Sequence, residues 1–321
     1  MYILKMMAER HNFQNFLNAL RKPSKFLREF ERVASRQTFE LNRGEGINVV
    51  EKDWDNLIIL DCCRTDYFRE ICDIQGEYES VVSQGNESRS FIEHNFAGRD
   101  LSDTIYVTAN PFVEYLDKDV FYRVDYSEVY EGWDQELRTV PPEVVSKRTK
   151  IMHEEYPNKR IISHFMQPHA PYIGDFGQSL VEKHDFGILN NKLRKEGYDI
   201  PNISIPQAVK NGPVSKEELR KAYKENLEIV WDEVKSLLDN INGKTVITSD
   251  HGEMLGEELF GRERYGHGRY HTSELRIVPW FGTEYEERRD ITKGDITKGD
   301  ITRGFDYIDD RESRLIALGY K

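Results

Sequence analysis

Two apolar runs, each followed by acidic residues, are the strongest feature of the hydrophobic pattern. Leu57–Leu60 and Thr245–Thr248 consist of aliphatic and β-branched residues, which is typical of strands buried on both faces. Asp61 follows the first run directly, and Asp250 and His251 follow the second after a single serine. Open α/β sheets carry their sites at the carboxyl ends of the strands, so the pattern predicts that these polar side chains share one edge.

These residue types predict a divalent metal. Two carboxylates that are buried close together repel each other and lose their hydration, so they need a cation between them. A carboxylate together with an imidazole suits Zn²⁺ or Mn²⁺. The alternatives are ordinary ones: Asp61 could cap a helix, and His251 could make a structural hydrogen bond in a polar turn.

Strands and helices alternate along the rest of the chain. Apolar runs predict strands at 103–110, 159–166 and 275–281, and a helix is predicted at 141–156. A second, long helix is predicted after Ser215, where a serine and a glutamate three residues later form a capping box. The step from this helix into the next strand predicts an α/β fold.

A polar loop containing Gly85 leads into a predicted helix that would bury Phe91, Ile92 and Phe96, and Ser88 lies near the start of that helix. A hydroxyl in this position is usually a helix cap. Beside a metal it could instead be a nucleophile, because a helix N-terminus favours an incoming anion. Both interpretations are open at this point.

Three histidines away from the two strand ends are further candidates. His169 lies between two prolines, which stiffen the loop after the strand at 159–166 and hold the imidazole out from it. His267 and His271 belong to a polar, glycine-rich segment at 254–270 and just beyond it, which is predicted to be a loop. Each of the three could equally be a structural residue.

Weaker patterns occupy the remaining segments. Residues 9–36 predict helices interrupted at Pro23, with basic residues around an apolar face; they either pack on the domain or lie on an acidic membrane surface. Residues 174–214 lack periodicity and predict an insertion or a lid. Residues 290–304 repeat a charged pentapeptide of no known solenoid type, and a short helix is predicted at 311–320.

Composition narrows the class of protein. The 321 residues suffice for one large α/β domain or two small ones. A charged content of 32% indicates a soluble globular protein, and a net charge of −12 argues against a nucleic-acid-binding protein. Three cysteines make no disulfide framework, and no apolar run approaches the roughly 18 residues of a membrane span. We therefore expect a cytoplasmic location.

The order of these motifs resembles that of the alkaline phosphatase superfamily, on its sulfatase-like branch. Ser249–Glu257 is close to the family's late metal motif, and Leu60–Asp66 resembles its opening metal strand. His169–Tyr172 resembles the mid-chain histidine loop. Tyr265–Gly268, followed by Arg276–Pro279, resembles the late histidine and the closing strand.

The resemblance implies an architecture for the whole chain. Residues 50–283 would form the catalytic domain, a single large α/β/α sandwich around a mostly parallel central sheet. Residues 1–49 would be an N-terminal helical extension, and residues 284–321 would hold the charged repeat and a C-terminal helix.

The resemblance also implies roles for individual residues. The metal would be held by Asp61, Asp250, His251 and Ser88. Ser88 would also be the nucleophile, and His169 and His267 would be catalytic. The two histidines would bind the anionic group of the substrate or a second metal, with His271 and Arg64 as further members of that set. The ion would be Zn, Mn, Ca or Mg.

Two departures from the family pattern bear on the substrate. Sulfatases place a second aspartate after the first, and this position is Cys62 here. Sulfatases also make formylglycine in a C/S-x-P-x-R context, whereas Ser88 is followed by Arg89 and Ser90. An unmodified hydroxyl nucleophile instead resembles phosphatases, phosphodiesterases, and lipoteichoic-acid or phosphoethanolamine transferases.

The sequence therefore predicts a metal-dependent hydrolase or transferase that acts on a phosphate ester, or on a sulfate ester, through a serine nucleophile and a covalent intermediate. Its substrate would be a small-molecule, glycan-linked or lipid-linked anionic ester. The alternatives are an arylsulfatase-type hydrolase and a non-catalytic binding protein with a sulfatase fold. Peripheral membrane contact through residues 9–36 is a further hypothesis.

Overall fold

A seven-stranded sheet forms the centre of the chain. It is seen in a computed structural model, which describes residues 23–184, Val209 and residues 212–294. The strands of the molecule are β1 (Asn56–Leu60), β2 (Gly76–Val82), β3 (Leu101–Thr108), β4 (Phe121–Asp125), β5 (Arg160–Phe165), β6 (Thr245–Thr248), β7 (Met254–Leu259), β8 (Arg262–Gly266) and β9 (Ile277–Thr283). The sheet has the order β2-β9-β6-β1-β5-β3-β4, and β7 pairs with β8 in a separate hairpin.

Helices connect and flank these strands. They are α1 (Pro23–Arg43), α2 (Thr65–Ile71), α3 (Ser88–Phe96), α4 (Ser127–Tyr130), α5 (Pro142–Glu155), α6 (Asp175–Lys183), α7 (Lys216–Leu238) and α8 (Ser273–Arg276), with 3₁₀ turns at Val49–Glu51 and Pro111–Tyr115. Within the seven-stranded sheet, β9 alone runs antiparallel to its two neighbours. The predicted α/β architecture around a mostly parallel sheet is confirmed.

The centre of the sheet decides where the acidic residues lie. Strand β1 runs parallel to β5 on one side and to β6 on the other, and all its residues are buried. Ile59 is in register with Thr248, so β1 and β6 end side by side. The chain therefore delivers Asp61 and Asp250 to the same edge of the sheet.

The predicted strands and helices within the described residues are present, with small shifts at their ends. The prediction of a loop at 254–270 is wrong, because most of this segment forms the hairpin of β7 and β8. Its tip consists of Phe260 and Gly261, whose φ values of 54° and 70° are those of a two-residue primed turn. Charged residues on both strands hide the alternation that would have indicated a hairpin. Strands β2 and β4 were also not predicted.

Helix α1 covers the described part of the basic N-terminal segment. Pro23 begins the helix, because a proline at the first helical position loses no hydrogen bond there. Val33 and Phe39 are buried, and Glu31 accepts a hydrogen bond from Arg264 at 2.9 Å. The described part of the basic segment therefore packs on the domain that carries the β7–β8 hairpin.

Several predicted segments lie outside the described residues. They are the beginning of the N-terminal segment, most of the 174–214 segment, the later repeats of the pentapeptide and the helix at 311–320. The predicted domain boundaries and the membrane contact stay predictions.

We predict that Ser215→Ala lowers the free energy of unfolding by about 1 kcal/mol, because Ser215 caps helix α7 in a complete capping box with Glu218. Urea denaturation followed by circular dichroism measures the change. Ser236→Ala, at an exposed position of the same helix, is the matched control and should change stability by no more than a few tenths of a kcal/mol. Equal effects of both substitutions would contradict the capping role.

Candidate active site

Strand ends and a helix start bring four predicted side chains together. Asp61 follows β1, Asp250 and His251 follow β6, and Ser88 is the first residue of α3. Ligand atoms of Asp61, Asp250 and His251 all lie within 4.8 Å of one another. All four residues have a relative exposure of 0%. The fold thus forms a closed polar cluster at the carboxyl edge of the sheet.

Two negative charges are unfavourable in this buried cluster unless a positive charge balances them. Burial raises the pKa of the Asp61 carboxyl well above its usual value, and the negative charge of Asp250 raises it further. Burial acts in the same direction on Asp250, but His251 and His164 outweigh it and lower the pKa of that carboxyl. Asp250 Oδ2 makes no hydrogen bond to any described residue. A positive charge between the carboxylates would relieve this conflict.

His251 offers the lone pair that a metal needs. Its Nδ1 lies 2.8 Å from the carbonyl oxygen of Gly252, which can only accept, so Nδ1 carries the hydrogen. Burial lowers the pKa of His251, which favours the neutral ring. The lone pair of Nε2 then lies 3.5 Å from carboxylate oxygens of both Asp61 and Asp250. Three acceptors that face one another in this way fit a divalent cation such as Zn²⁺ or Mn²⁺.

Ser88 is the hydroxyl that enters this cluster. Its Oγ lies 3.2 Å from Asp61 Oδ2 and 3.3 Å from His251 Nε2. Two other serines that are near Ser88 in sequence have structural partners instead: Ser83 donates to the backbone oxygen of Asp250, and Ser90 donates to the carbonyl of the residue preceding Ser88. Of the three, only Ser88 directs its hydroxyl at the metal candidates.

His169 and His267 lie beside the cluster. The rings of His267 and His251 have centroids 4.5 Å apart, and those of His267 and His169 are 5.1 Å apart. Glu253 Oε2 is 3.1 Å from His267 Nδ1. Burial lowers the pKa of His267, but the negative charge of Glu253 outweighs burial and raises that pKa to about 9. Burial, helped by His267, lowers the pKa of His169 to about 4. One imidazole is therefore cationic and its neighbour neutral at pH 7.

Two of the predicted members are engaged elsewhere. Arg64 makes ion pairs of 2.7 Å with both Asp66 and Glu257, so its positive charge is balanced within the fold. His271 accepts a hydrogen bond of 2.6 Å from Arg276, and burial together with the charge of Arg276 lowers its pKa to about 3. In the described part of the chain, Asp61, Asp250 and His251 are the one group with three ligand atoms in metal-binding proximity.

Sequence reasoning missed the side chains that hold the cluster in place. Asn110 donates a hydrogen bond of 2.8 Å to Asp61 Oδ2, and it follows β3 as Asp61 follows β1, so the same strand-end pattern could have identified it. His164 Nε2 lies 3.7 Å from Asp250 Oδ2. The Nδ1 atom of His164 lies 2.7 Å from the hydroxyl oxygen of Tyr106. His164 lies inside a buried strand, where no local sequence signal separates it from a packing residue.

The position that departs from the sulfatase pattern contributes through its backbone. The Cys62 N–H donates to Asp250 Oδ1 at 3.1 Å, and its φ of 56° is in the left-handed region. Burial raises the pKa of its thiol well above the usual value, and the charge of Glu253 adds to this. The side chain of Cys62 is therefore a neutral thiol beside the cluster.

Comparisons with known proteins give structural matches alone. No protein-family model matches the chain, and no curated protein matches it. The soluble domain of lipooligosaccharide phosphoethanolamine transferase A from Neisseria meningitidis is similar at 12% identity and a TM-score of 0.43, over 70% of this chain and 75% of that chain. The C-terminal periplasmic domain of Escherichia coli EptC, in complex with Zn, is similar at 14% identity and a TM-score of 0.45, over 72% of each chain.

A third similar structure is a phosphonate monoester hydrolase from Silicibacter pomeroyi, at 14% identity and a TM-score of 0.39, over 82% of this chain and 72% of that chain. These proteins are members of the alkaline phosphatase superfamily, to which the sequence motifs show their resemblance. They are distant likenesses of fold, and the activity proposed below rests on the side chains of the site.

The predicted cytoplasmic location is contradicted by these comparisons. The similar structures include C-terminal periplasmic domains from Escherichia coli and Campylobacter jejuni, and an integral membrane protein from Neisseria meningitidis. The prediction had rested on the lack of a disulfide framework and of apolar runs, and neither of these fixes a compartment. Within the described residues, no helix is both long enough and apolar enough to cross a membrane.

We predict that the full chain binds one Mn²⁺ or Zn²⁺ ion, and that Asp61→Asn and Asp250→Asn each weaken binding by about tenfold or more, because each removes a charged ligand. Isothermal titration calorimetry measures the affinity. Asp119→Asn, which changes an exposed carboxylate, is the matched control and should bind as the parent chain does. Unchanged affinity in both cluster variants would contradict the metal site.

Proposed function

We propose that the chain is a metal-dependent enzyme that transfers or hydrolyses a phosphate ester through a covalent intermediate on Ser88. The observation that carries this proposal is the convergence of Asp61, Asp250 and His251 on the Ser88 hydroxyl at a buried sheet edge. A purely structural cluster would not need two buried carboxylates facing an imidazole lone pair, since an apolar core is no less stable. Because Ser88 lacks the C/S-x-P-x-R context of sulfatases, this arrangement supports a phosphoesterase or a phosphotransferase.

The residues that would hold the ion are Asp61, Asp250 and His251, with Ser88 beside them. When bound, a divalent ion would supply Lewis-acid polarisation of the ester and would favour the Ser88 alkoxide. The position of Ser88 at the first residue of α3 supports the same role. The unpaired N–H groups at a helix N-terminus stabilise an anionic group bound there.

The neighbouring side chains divide the remaining tasks. Asn110 holds Asp61 by donating to Oδ2, and His164 faces Asp250, so both acids are kept in a fixed orientation. His267, which is held by Glu253, is positioned to donate a proton to the departing oxygen. His169 contributes a neutral ring beside it.

The proposed reaction has two stages. Ser88 Oγ gives its proton to Asp61 Oδ2, to which it donates at 3.2 Å, and attacks the phosphorus atom. The Oγ–P bond forms, and the bond from phosphorus to the leaving alcohol breaks as that oxygen takes a proton from His267. Water or an acceptor alcohol then attacks the phosphoserine and gives its proton to His267, while the Oγ–P bond breaks and Ser88 Oγ takes its proton back from Asp61. Water gives a hydrolase, and an acceptor alcohol gives a transferase.

We predict that Ser88→Ala lowers kcat on an activated aryl ester by about a thousandfold or more, because the nucleophile is lost. Turnover of p-nitrophenyl phosphate, bis(p-nitrophenyl) phosphate and p-nitrophenyl sulfate is measured with Mn²⁺ or Zn²⁺. Ser90→Ala, two residues further along the same helix, is the matched control. It should keep most of the activity, since Ser90 Oγ contacts the backbone rather than the cluster.

A second measurement separates catalysis from a merely structural defect. Mass spectrometry of the quenched reaction should find the phosphoryl group on the peptide containing Ser88, and the Ser88→Ala chain should retain metal affinity and helical content. Full activity in Ser88→Ala, or a phosphoryl group on another residue, would contradict the proposal. Turnover of the sulfate ester alone would favour the arylsulfatase-type alternative.

A further inference from the structure

A cavity lined by arginines opens next to the proposed active site. It has a volume of about 410 Å³ and lies between the start of α1 and the β7–β8 hairpin with the loop that follows. Its lining includes Arg28, Arg262, Arg264, Arg269, His267 and Tyr270, and we call it the arginine cavity. His267 is shared with the catalytic cluster, because its ring also lies against that of His251. The cavity and the catalytic cluster therefore share His267 as a common wall.

Three of its arginines are not neutralised. Arg264 pairs with Glu31 at 2.9 Å, and this ion pair belongs to the contact between the helix and the hairpin. Among the described residues, no carboxylate forms an ion pair with Arg28, Arg262 or Arg269.

Two acids at this wall, Glu263 and Glu31, are occupied by other groups. Glu263, which also lines the cavity, pairs with Lys216 and accepts a hydrogen bond from Tyr265 at 2.6 Å. Glu31 accepts from Tyr270 at 3.3 Å in addition to its pair with Arg264. The net charge of the wall is therefore positive.

This concentration of positive charge is unusual for the chain that carries it. The whole sequence has a net charge of −12, so its surface as a whole repels anions. The arginines come from two elements far apart in sequence, and the fold brings them to one concave surface with apolar walls such as Met254 and Leu275. Low-dielectric walls focus such a field on a bound anion. The guanidinium fork also matches the oxygens of phosphate and carboxylate groups.

We propose that the arginine cavity is a subsite for a second oxyanion of the substrate, so that the preferred ester carries another phosphate, sulfate or carboxylate group in addition to the one that reacts. Arg262, Arg269 and Arg28 would be the specificity-determining residues. This inference rests on the proposed function, because it takes the reacting ester to lie against His267. It narrows the substrate class from any phosphate ester to doubly anionic ones.

The binding test uses non-hydrolysable pairs of probes. Alkane-α,ω-bisphosphonates of increasing length are compared with alkyl monophosphonates of the same length, by isothermal titration of the metal-loaded full chain. We expect one range of lengths to bind at least about tenfold more tightly than its monophosphonate partner. Because the contact is between exposed charges, the preference should shrink as salt is raised.

The variants are chosen to remove charge without disturbing the core. Arg262→Ala combined with Arg269→Ala should reduce the preference for the bisphosphonate to less than about twofold, and both residues are exposed, so the fold should tolerate the change. Arg43→Ala is the matched control. It removes an exposed arginine from the same helix as Arg28, roughly 22 Å along its axis, and should keep the preference.

A second experiment measures turnover and compares alkane-α,ω-bisphosphates with ω-hydroxyalkyl phosphates of the same length. The ratio of their kcat/KM values should favour the bisphosphate in the parent chain and fall towards one in the double variant. Equal binding of single and double anions by the parent chain would overturn the subsite, even if phosphate esters are turned over. A binding preference that depends on Arg262 and Arg269, without turnover of any ester, would instead uphold the subsite and contradict the proposed function.

Discussion

The repulsion between two buried carboxylates is the constraint on which the rest of the site depends. Asp61 and Asp250 have no exposure to solvent, and they face each other across the ends of adjacent parallel strands. Burying unpaired charge in this way costs several kcal/mol per ion. A cation between the two acids would relieve their repulsion, and the neutral ring of His251 completes the set of acceptors that a cation would bind.

Much of this could be predicted from the sequence because it is local. An apolar run identifies a buried strand, and the residue after it lies at the sheet edge, so the pattern predicted that Asp61 and Asp250 share that edge. The fold adds that β1 and β6 are neighbours. The hairpin of β7 and β8 could not be predicted, because charged residues on both strands hide the alternation of apolar and polar positions. Asn110 was within reach of the same strand-end argument. His164 was not, since its role depends on a partner in another strand.

Some partners of the candidate residues are remote in sequence. Arg64 lies three residues after Asp61, and it forms an ion pair with Glu257, which only the fold brings near. In the arginine cavity, by contrast, the fold brings together arginines that are far apart in sequence. Arg28 belongs to the basic N-terminal segment and Arg262 to a segment predicted to be a loop, and only the packing of α1 against the hairpin gathers them next to His267. The role of a charged residue in this protein therefore depends on the ion pairs that the fold gives it.

The central claim, that the cluster exists to hold a cation beside a nucleophilic serine, is tested most directly by anomalous diffraction. Crystals of the full chain, as purified and after soaking in Mn²⁺ or Zn²⁺, are measured on both sides of the metal absorption edge. The account predicts one strong anomalous peak within bonding distance of Asp61, Asp250 and His251, with Ser88 facing it. Crystals that show these side chains in place but no anomalous peak among them after soaking would contradict it.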